Sequence, residues 1–373
     1  MKIKKGEVSI YKFPTVRPFV TSFGKFDYRE IVIVKLTDED GVTGYGEASS
    51  LAMPVYTPEF TESVIWAIKK VIFPTIKGVE LKTPFDLQEK LGFIKGNNFA
   101  KTGVEVALFD LYGKKNKKRL IDIIGGSKKD SNISATVSIH DDIEGALAEV
   151  KDYYNKGIRY LKVKVKPGFD YSYLKAISDE FKDVYLMLDA NSGYKYDKKN
   201  TNTFKKIDKL GLYSMEQPLA TGELIEHSKL QKELKSPISL DESIDSVYSA
   251  QKAIELKSCR QINIKFGRLG GINNALKVNS ISAKNKVDVW IGGMLESPVG
   301  FYVNLALSTL PNIDLPVDFL GALSYIKDYE GFFKRKPYKI KGNKLRVDIE
   351  ENGLGLELNW KKINNALYKS INL

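Results

Sequence analysis

Between residues 160 and 265 the chain repeats one pattern: a short apolar run closed by a charged residue. The runs are Tyr160-Leu-Lys-Val-Lys164, Val184-Tyr-Leu-Met-Leu-Asp189, Tyr213-Ser-Met-Glu216, Ile238-Ser-Leu-Asp241 and Ile262-Asn-Ile-Lys265. Their closing residues stand 24 to 27 positions apart, the length of a strand, a loop, a helix and a loop. That beat predicts a (β/α) barrel, whose parallel strands are buried on both faces and so read as continuous apolar runs. Extended in both directions, it predicts strands at 133–139, 159–165, 184–189, 213–216, 237–240, 260–265, 287–291 and near 315–319, eight in all. Helices are predicted between them at 143–156, 171–182, 198–210, 222–233, 246–255, 272–284 and 298–308.

The flanks read differently. Residues 3–13, 31–37 and 43–47 alternate as strands of an antiparallel meander, with a turn at Asp38-Glu-Asp-Gly41. Segments 17–24 and 48–56 read as loops with apolar residues, which suits loops that cover something. Helical spacing recurs at 58–75, 84–93 and 99–115. Residues 1–125 therefore predict a small α+β domain, and Gly125-Gly126 with the polar stretch after it marks the boundary to the barrel at 126–320. Residues 321–373 return to a β pattern at 338–359, with turns at Gly342-Asn343 and Gly353–Gly355, and are expected to fold back and complete the first domain. The fold class is α/β: a modified TIM barrel with an N-terminal α+β cap.

Composition narrows the function. The 373 residues exceed the roughly 250 of a bare barrel and leave room for the cap. The net charge of +12 comes from lysines scattered without interleaved aromatics, a solvated surface rather than a nucleic-acid footprint, with a mild attraction for anionic substrates. Cys259 is the single cysteine, so an internal disulfide is excluded and a reducing compartment is expected. No apolar run approaches a membrane span and the amino end lacks a signal-peptide core, so the expected location is cytoplasmic. An anionic small molecule is the expected partner, and homo-oligomer or monomer is left open. With only His140 and His227, acid–base work must fall on Lys, Asp, Glu or Tyr.

The last residue of a barrel strand points into the mouth at the carboxyl end, where such barrels keep their chemistry. Here the order is Lys, Asp, Glu, Asp, Lys. Three adjacent carboxylates repel one another unless a cation lies between them. Hard oxygen ligands favour Mg²⁺, with Mn²⁺ as the alternative, and a lysine stands on either side. The competing reading is that each acid caps the helix that follows it.

These residues also carry a resemblance. Lys162/Lys164, Asp189-Ala-Asn191, Glu216-Gln-Pro218, Asp241-Glu-Ser243, Asn263-Ile-Lys265 and Gly292-Gly-Met-Leu-Glu-Ser297 resemble the enolase superfamily, muconate-lactonizing subgroup, in its o-succinylbenzoate synthase / N-succinylamino acid racemase branch. Pro18–Gly24, Gly44-Tyr-Gly-Glu47 and Ala100–Asp110 extend it into the cap. The resemblance implies Mg²⁺ on Asp189, Glu216 and Asp241, stabilising the enediolate formed when an α-proton leaves a carboxylate substrate. Lys164 and Lys265 match acid–base lysines on opposite faces of the substrate, their pKa lowered by the metal, by each other and by desolvation. Lys162 matches a lysine that supports the intermediate's charge. Asn191 and Glu242 match residues that steady the ligands, and Arg268 matches an arginine beside the second lysine in racemase-competent members. Both a syn dehydration and a racemisation start this way. The implied substrate pocket comprises Phe19, Ser22, Phe23, Met53, Pro54, Tyr56, Ser138, Gly293, Met294, Glu296 and Ser297. Two departures fall nearby: Pro298-Val-Gly-Phe301 replaces Gly-Val-Gly-Arg, and Pro316-Val-Asp-Phe319 replaces a Gly-Asp-Ile pattern. Proline there would remove an N–H able to bind a substrate carboxylate.

Overall fold

The computed structural model describes residues 1–21 and 24–373, and the side chains of residues 19–26 lie outside what it describes. Strands β1 (Ile3–Thr21), β2 (Gly24–Asp38) and β3 (Thr43–Ala48) pair antiparallel in that order. Side chains alternate across a strand, and here both faces find a core. Ile31 and Ile33 join the large core that holds the parallel strands, whereas Val32, Val34 and Leu36 join a second core built by residues 3–111. Helix Asn98–Asn116 covers that second face. It approaches the strand backbone directly: a Cβ on Gly46 would lie 2.1 Å from the Gly103 carbonyl oxygen, and one on Gly44 2.1 Å from that of Ala107. Only glycine allows this contact.

The hairpin of β1 and β2 is longer than the sequence pattern predicts. In segment 17–24, expected as a loop, Phe19, Val20 and Thr21 continue the ladder opposite Phe26, Lys25 and Gly24, after a register shift between Pro14 and Phe19. Proline signals a loop because it lacks an N–H, but a two-stranded ribbon tolerates it at an interruption of the ladder.

The chain then enters β4 (Asp130–Asn132), β5 (Ser134–Val137), β6 (Tyr160–Lys164), β7 (Tyr185–Asp189), β8 (Ser214–Glu216), β9 (Ile238–Leu240), β10 (Gln261–Ile264) and β11 (Asp288–Ile291). Strands β5 to β11 form a seven-stranded parallel sheet in sequence order, with helices between successive strands. Where an eighth strand was predicted, residues 313–318 make only single bridges. Val317 pairs with Ile133 at one edge, and Ile313 and Asp318 pair with Val289 and Gly292 at the other. The Asp318 N–H donates to the Ile291 carbonyl at 2.9 Å, and the Val317 N–H to that of Asn132 at 2.8 Å. Pro316 has no N–H to offer, which keeps this segment from forming a ladder. The sheet therefore curls until one segment touches both of its edges.

The C-terminal hairpin β12 (Tyr338–Lys341) and β13 (Lys344–Val347) turns at Gly342-Asn343 but pairs with β4, at the entry to the parallel sheet, and not with the first domain. The return to that domain is made further on. The Leu120 N–H donates to the Gly353 carbonyl at 2.7 Å, and the Leu354 N–H to Asp110 Oδ1 at 2.9 Å. Strand β14 (Leu367–Asn372) then adds to β1, giving the order β14-β1-β2-β3. Among the described residues no helix is long and apolar enough to cross a membrane, and Cys259 is buried and unpaired.

Candidate active site

All five closing residues emerge at one end of the parallel sheet. Lys164, Asp189 and Glu216 are the last residues of β6, β7 and β8, and Asp241 and Lys265 directly follow β9 and β10. Register sets Lys164 opposite Asp189, and Asp189 opposite Glu216. Lys162 shares a strand face with Lys164 by the two-residue period, while Leu161 and Val163 turn into the core. Lys162, Lys164, Asp189, Asn191 and Lys265 line a cavity of about 350 Å³. Glu216 and Asp241 are buried one contact further in, against Lys162 and Lys265. The helix-capping alternative does not hold for these acids. Asp197 caps helix Lys198–Asp208 and Ser246 caps Val247–Glu255, whereas helix Leu224–Glu233 begins at Glu223 without a side-chain cap.

Each amine is drawn onto a carboxylate. Lys164 Nζ lies 2.9 Å from Asp189 Oδ2 and 2.7 Å from Asn191 Oδ1. Lys162 Nζ lies 2.6 Å from Asp318, 3.2 Å from Glu216 and 3.4 Å from Asp189. Lys265 Nζ is 2.8 Å from Asp241 Oδ2, and Arg268 Nη1 is 2.6 Å from Asp241 Oδ1. Burial works against the Asp241 charge, but Arg268 and Lys265 outweigh it and hold that carboxyl below the usual range. Asp189 is held low in the same way by Lys164 and Lys162. Burial also opposes the Lys265 ammonium, yet Asp241 outweighs it and the amine sits above the ordinary lysine range.

Glu216 is the exception. Burial, then Asp189, pushes its carboxyl up to about 8. Its Oε1 accepts from Asn263 Nδ2 at 2.8 Å, but Oε2 has no hydrogen-bond donor and only the Lys162 ammonium beside it. A buried, donor-free oxygen among acids that offer oxygen alone fits a hard divalent cation. The side chains lean onto the lysines, and among the described residues no three acids form a ready-made metal cluster. Gln217, which the sequence reading missed, holds the acids in place. Its Oε1 accepts from the Asp241 and Ser243 N–H groups at 3.0 and 3.2 Å, tying the ends of β8 and β9 together. Asn191 Nδ2 donates to Glu242 Oε1 at 3.0 Å, and burial, then Asp241, pushes the Glu242 carboxyl up to about 7.

Of the predicted pocket, Met53, Tyr56, Gly293 and Met294 line the cavity, and Tyr56 Oη accepts from Arg268 at 2.7 Å. Pro54, Ser138, Glu296 and Ser297 do not line it. Ser138 meets Tyr325, which does, at 2.9 Å. Ser297 caps helix Pro298–Ser308 and donates to Glu47 Oε2 at 2.5 Å, and Glu296 is buried beside it. Pro298 stands at the first helical position, where a missing N–H costs nothing. Phe301 is buried against Phe319, Tyr329 and Tyr338. Pro298 and Phe301 thus lie outside the cavity lining, whereas Asp318 and Phe319 of the second departure belong to it. The Phe19 side chain, Ser22 and Phe23 lie outside the described residues. The sequence reading also missed Arg29, Thr136 and Asp318, all in the lining. Asp318 carried the same signal as the other acids, a carboxylate closing an apolar run, whereas Arg29 carried none.

Comparison with known proteins agrees with this geometry. Residues 145–362 match the enolase C-terminal domain-like family, and residues 5–125 the N-terminal domain of mandelate racemase / muconate lactonizing enzyme. The chain belongs to the enolase superfamily. It is 39% identical over 308 residues to an o-succinylbenzoate synthase of Geobacillus kaustophilus, covering 83% of this chain and 82% of that one. It is 37% identical to an N-succinylamino acid racemase of Thermus thermophilus, covering 87% of each. A crystal structure of an enolase-superfamily member from Listeria innocua superposes with a TM-score of 0.94 at 31% identity, over 100% of this chain and 99% of that one.

Proposed function

We propose that this chain is an o-succinylbenzoate synthase. It removes water from 2-succinyl-6-hydroxy-2,4-cyclohexadiene-1-carboxylate by syn elimination, giving 2-succinylbenzoate for menaquinone biosynthesis in the cytoplasm. The catalytic unit is a (β/α) barrel of residues 126–320, capped by residues 1–125, to which strand β14 of the C-terminal segment adds. One observation carries the reading: Lys164 and Lys265 border one cavity from strand ends with β7, β8 and β9 between them, each joined to a different acid of the Asp189, Glu216, Asp241 set. A relative 39% identical over 308 residues bears the name of this activity.

Bound by Asp189, Glu216 and Asp241, Mg²⁺, or Mn²⁺ in its place, supplies the positive charge that makes a proton next to a carboxylate acidic enough to remove. Lys164, once neutral, takes that α-proton and returns it to the hydroxyl leaving on the same face, and the ring becomes aromatic. Asn191 Oδ1 steadies the Lys164 amine. Lys265 and Lys162 stay charged and balance the negative charge that develops on the substrate.

A second reaction, racemisation of N-succinylamino acids, is favoured by Arg268. Its contact with Asp241 Oδ1 takes up part of the carboxylate that restrains Lys265, and so makes that amine readier to release a proton. Assay of purified protein with Mg²⁺ on the cyclohexadiene carboxylate and on N-succinylamino acids separates the two. Dehydration with the larger kcat/KM supports the synthase, and turnover of the amino acids alone overturns it.

A further inference from the structure

Among the described residues four cations line the cavity, and three of them are neutralised: Lys162, Lys164 and Lys265 each hold a carboxylate. Arg29 holds none. It is 4% exposed, and its donors reach main-chain carbonyls only. Nε points to Met294 and Leu295 at 3.1 and 3.2 Å, Nη1 to Glu30 and Ser50 at 2.6 Å each, and Nη2 to Ser49 at 2.6 Å. A guanidinium has five N–H groups, so one on Nη2 is left without an acceptor among the described residues. The acids on this wall do not supply the missing charge: Glu30 is paired with Lys12 at 3.4 Å, and Asp27 is exposed at the rim. Glu47, Glu296 and then Glu30 attract the guanidinium, but among the described residues none of them is in ion-pair or hydrogen-bond contact with it through its carboxylate. A buried charge with no carboxylate in contact is costly to keep, and one kept on a cavity wall suits an anion entering the cavity.

The reaction proposed above brings such an anion. Its substrate is a dicarboxylate: the ring carboxylate belongs beside Lys164, and the succinyl carboxylate at the end of a flexible chain needs a site of its own. We propose that Arg29 is the subsite for this distal carboxylate, so that the enzyme selects acids carrying a second negative charge. The inference rests on the synthase reading. Arg29 also sets the wall around that site. Its Nε holds the carbonyl of Leu295, whose φ of 54° is a left-handed conformation unusual for leucine. Through Ser49 and Ser50 it anchors the loop that carries Met53 and Tyr56.

A residue that only braced these loops would affect all ligands alike, and this separates the two roles. Inhibition constants for 2-succinylbenzoate and for 2-butanoylbenzoate, which ends in a methyl group instead of the second carboxylate, are to be measured with Mg²⁺ in wild type, Arg29→Lys and Arg29→Gln. The ratio of the two constants does not depend on the fraction of correctly folded protein. Wild type is expected to prefer the dicarboxylate by about tenfold or more, the scale of a hydrogen bond to a charged group. Arg29→Gln is expected to reduce that to about twofold or less, with Arg29→Lys between them. An unchanged ratio in Arg29→Gln, or no preference in wild type, overturns the assignment. If wild type catalyses no dehydration, the synthase reading fails instead, and the same ratio is read by calorimetric binding.

Discussion

Asp189 and Lys164 close neighbouring strands, and their carboxylate and amine meet at 2.9 Å. An acid suited to a cation thus holds the amine suited to a base. The same coupling recurs across the cavity between Asp241 and Lys265. The acids and amines therefore form one electrostatic unit, and changing any member alters the others.

The donor-free oxygen of Glu216 gives the metal assignment a stability readout. A ligand that binds only the folded state adds about 2.7 kcal/mol at 100 times its Kd. Mg²⁺ is expected to raise the Tm of wild type and to raise that of Glu216→Gln much less, in melts with and without the ion. Equal shifts would remove Glu216 from the set.

Lys265 separates charge from proton transfer. Lys265→Arg keeps a cation near Asp241 but provides no usable base. Dehydration, which uses Lys265 as a charge, is expected to retain a measurable fraction of kcat. Racemisation, which needs an amine on each face, is expected to fall by at least 10²-fold, in the range of general acid–base contributions. Equal losses in both reactions would contradict this division.

Much of the site was legible in the sequence because barrel strands are apolar throughout, so a charged residue at a strand end stands out. The residues that were missed act across long separations. Arg29 meets Met294 from 265 positions away, and no local pattern in an alternating strand marks such a partner. The long hairpin was hidden by Pro14 and Pro18, and the closing segment was read as a full strand because its apolar run conceals the effect of Pro316. Glu296 and Ser297 sit in a matching motif, but the helix beginning at Pro298 turns them toward Glu47.

Glu105 makes stability depend on pH. It is fully buried in helix Asn98–Asn116 and accepts from the Asn273 N–H at 3.2 Å, at the start of helix Ile272–Lys284. Burial pushes its carboxyl up to about 8 against the hydrogen bonds it accepts. Between the unfolded value near 4.5 and that raised value, the folded state holds a proton that the unfolded state has lost, so stability falls as pH rises. The slope is at most ~1.4 kcal/mol per pH unit. Glu105→Gln removes the titration, so its stability, followed by denaturation from pH 5 to 8, is expected to decline less than that of wild type. Parallel curves would contradict this.

Gly46 tests the backbone contact between β3 and the helix. An added methyl would meet the Gly103 carbonyl oxygen at 2.1 Å and the Ala107 nitrogen at 2.5 Å, both main-chain atoms. Gly46→Ala is expected to cost about 1–3 kcal/mol, the range for overpacking. Gly41→Ala meets nothing within 4 Å but has a φ of +82°, so it is expected to cost less, through backbone strain alone. Urea denaturation of both variants gives the comparison.

The central claim is that Lys164 moves the proton in dehydration, and the most direct measurement is formation of 2-succinylbenzoate by wild type and by Lys164→Ala under saturating Mg²⁺. Wild type is expected to turn over, and Lys164→Ala, still folded by its melting curve, to lose at least 10³-fold in kcat. Comparable turnover by the folded Lys164→Ala variant would contradict the account.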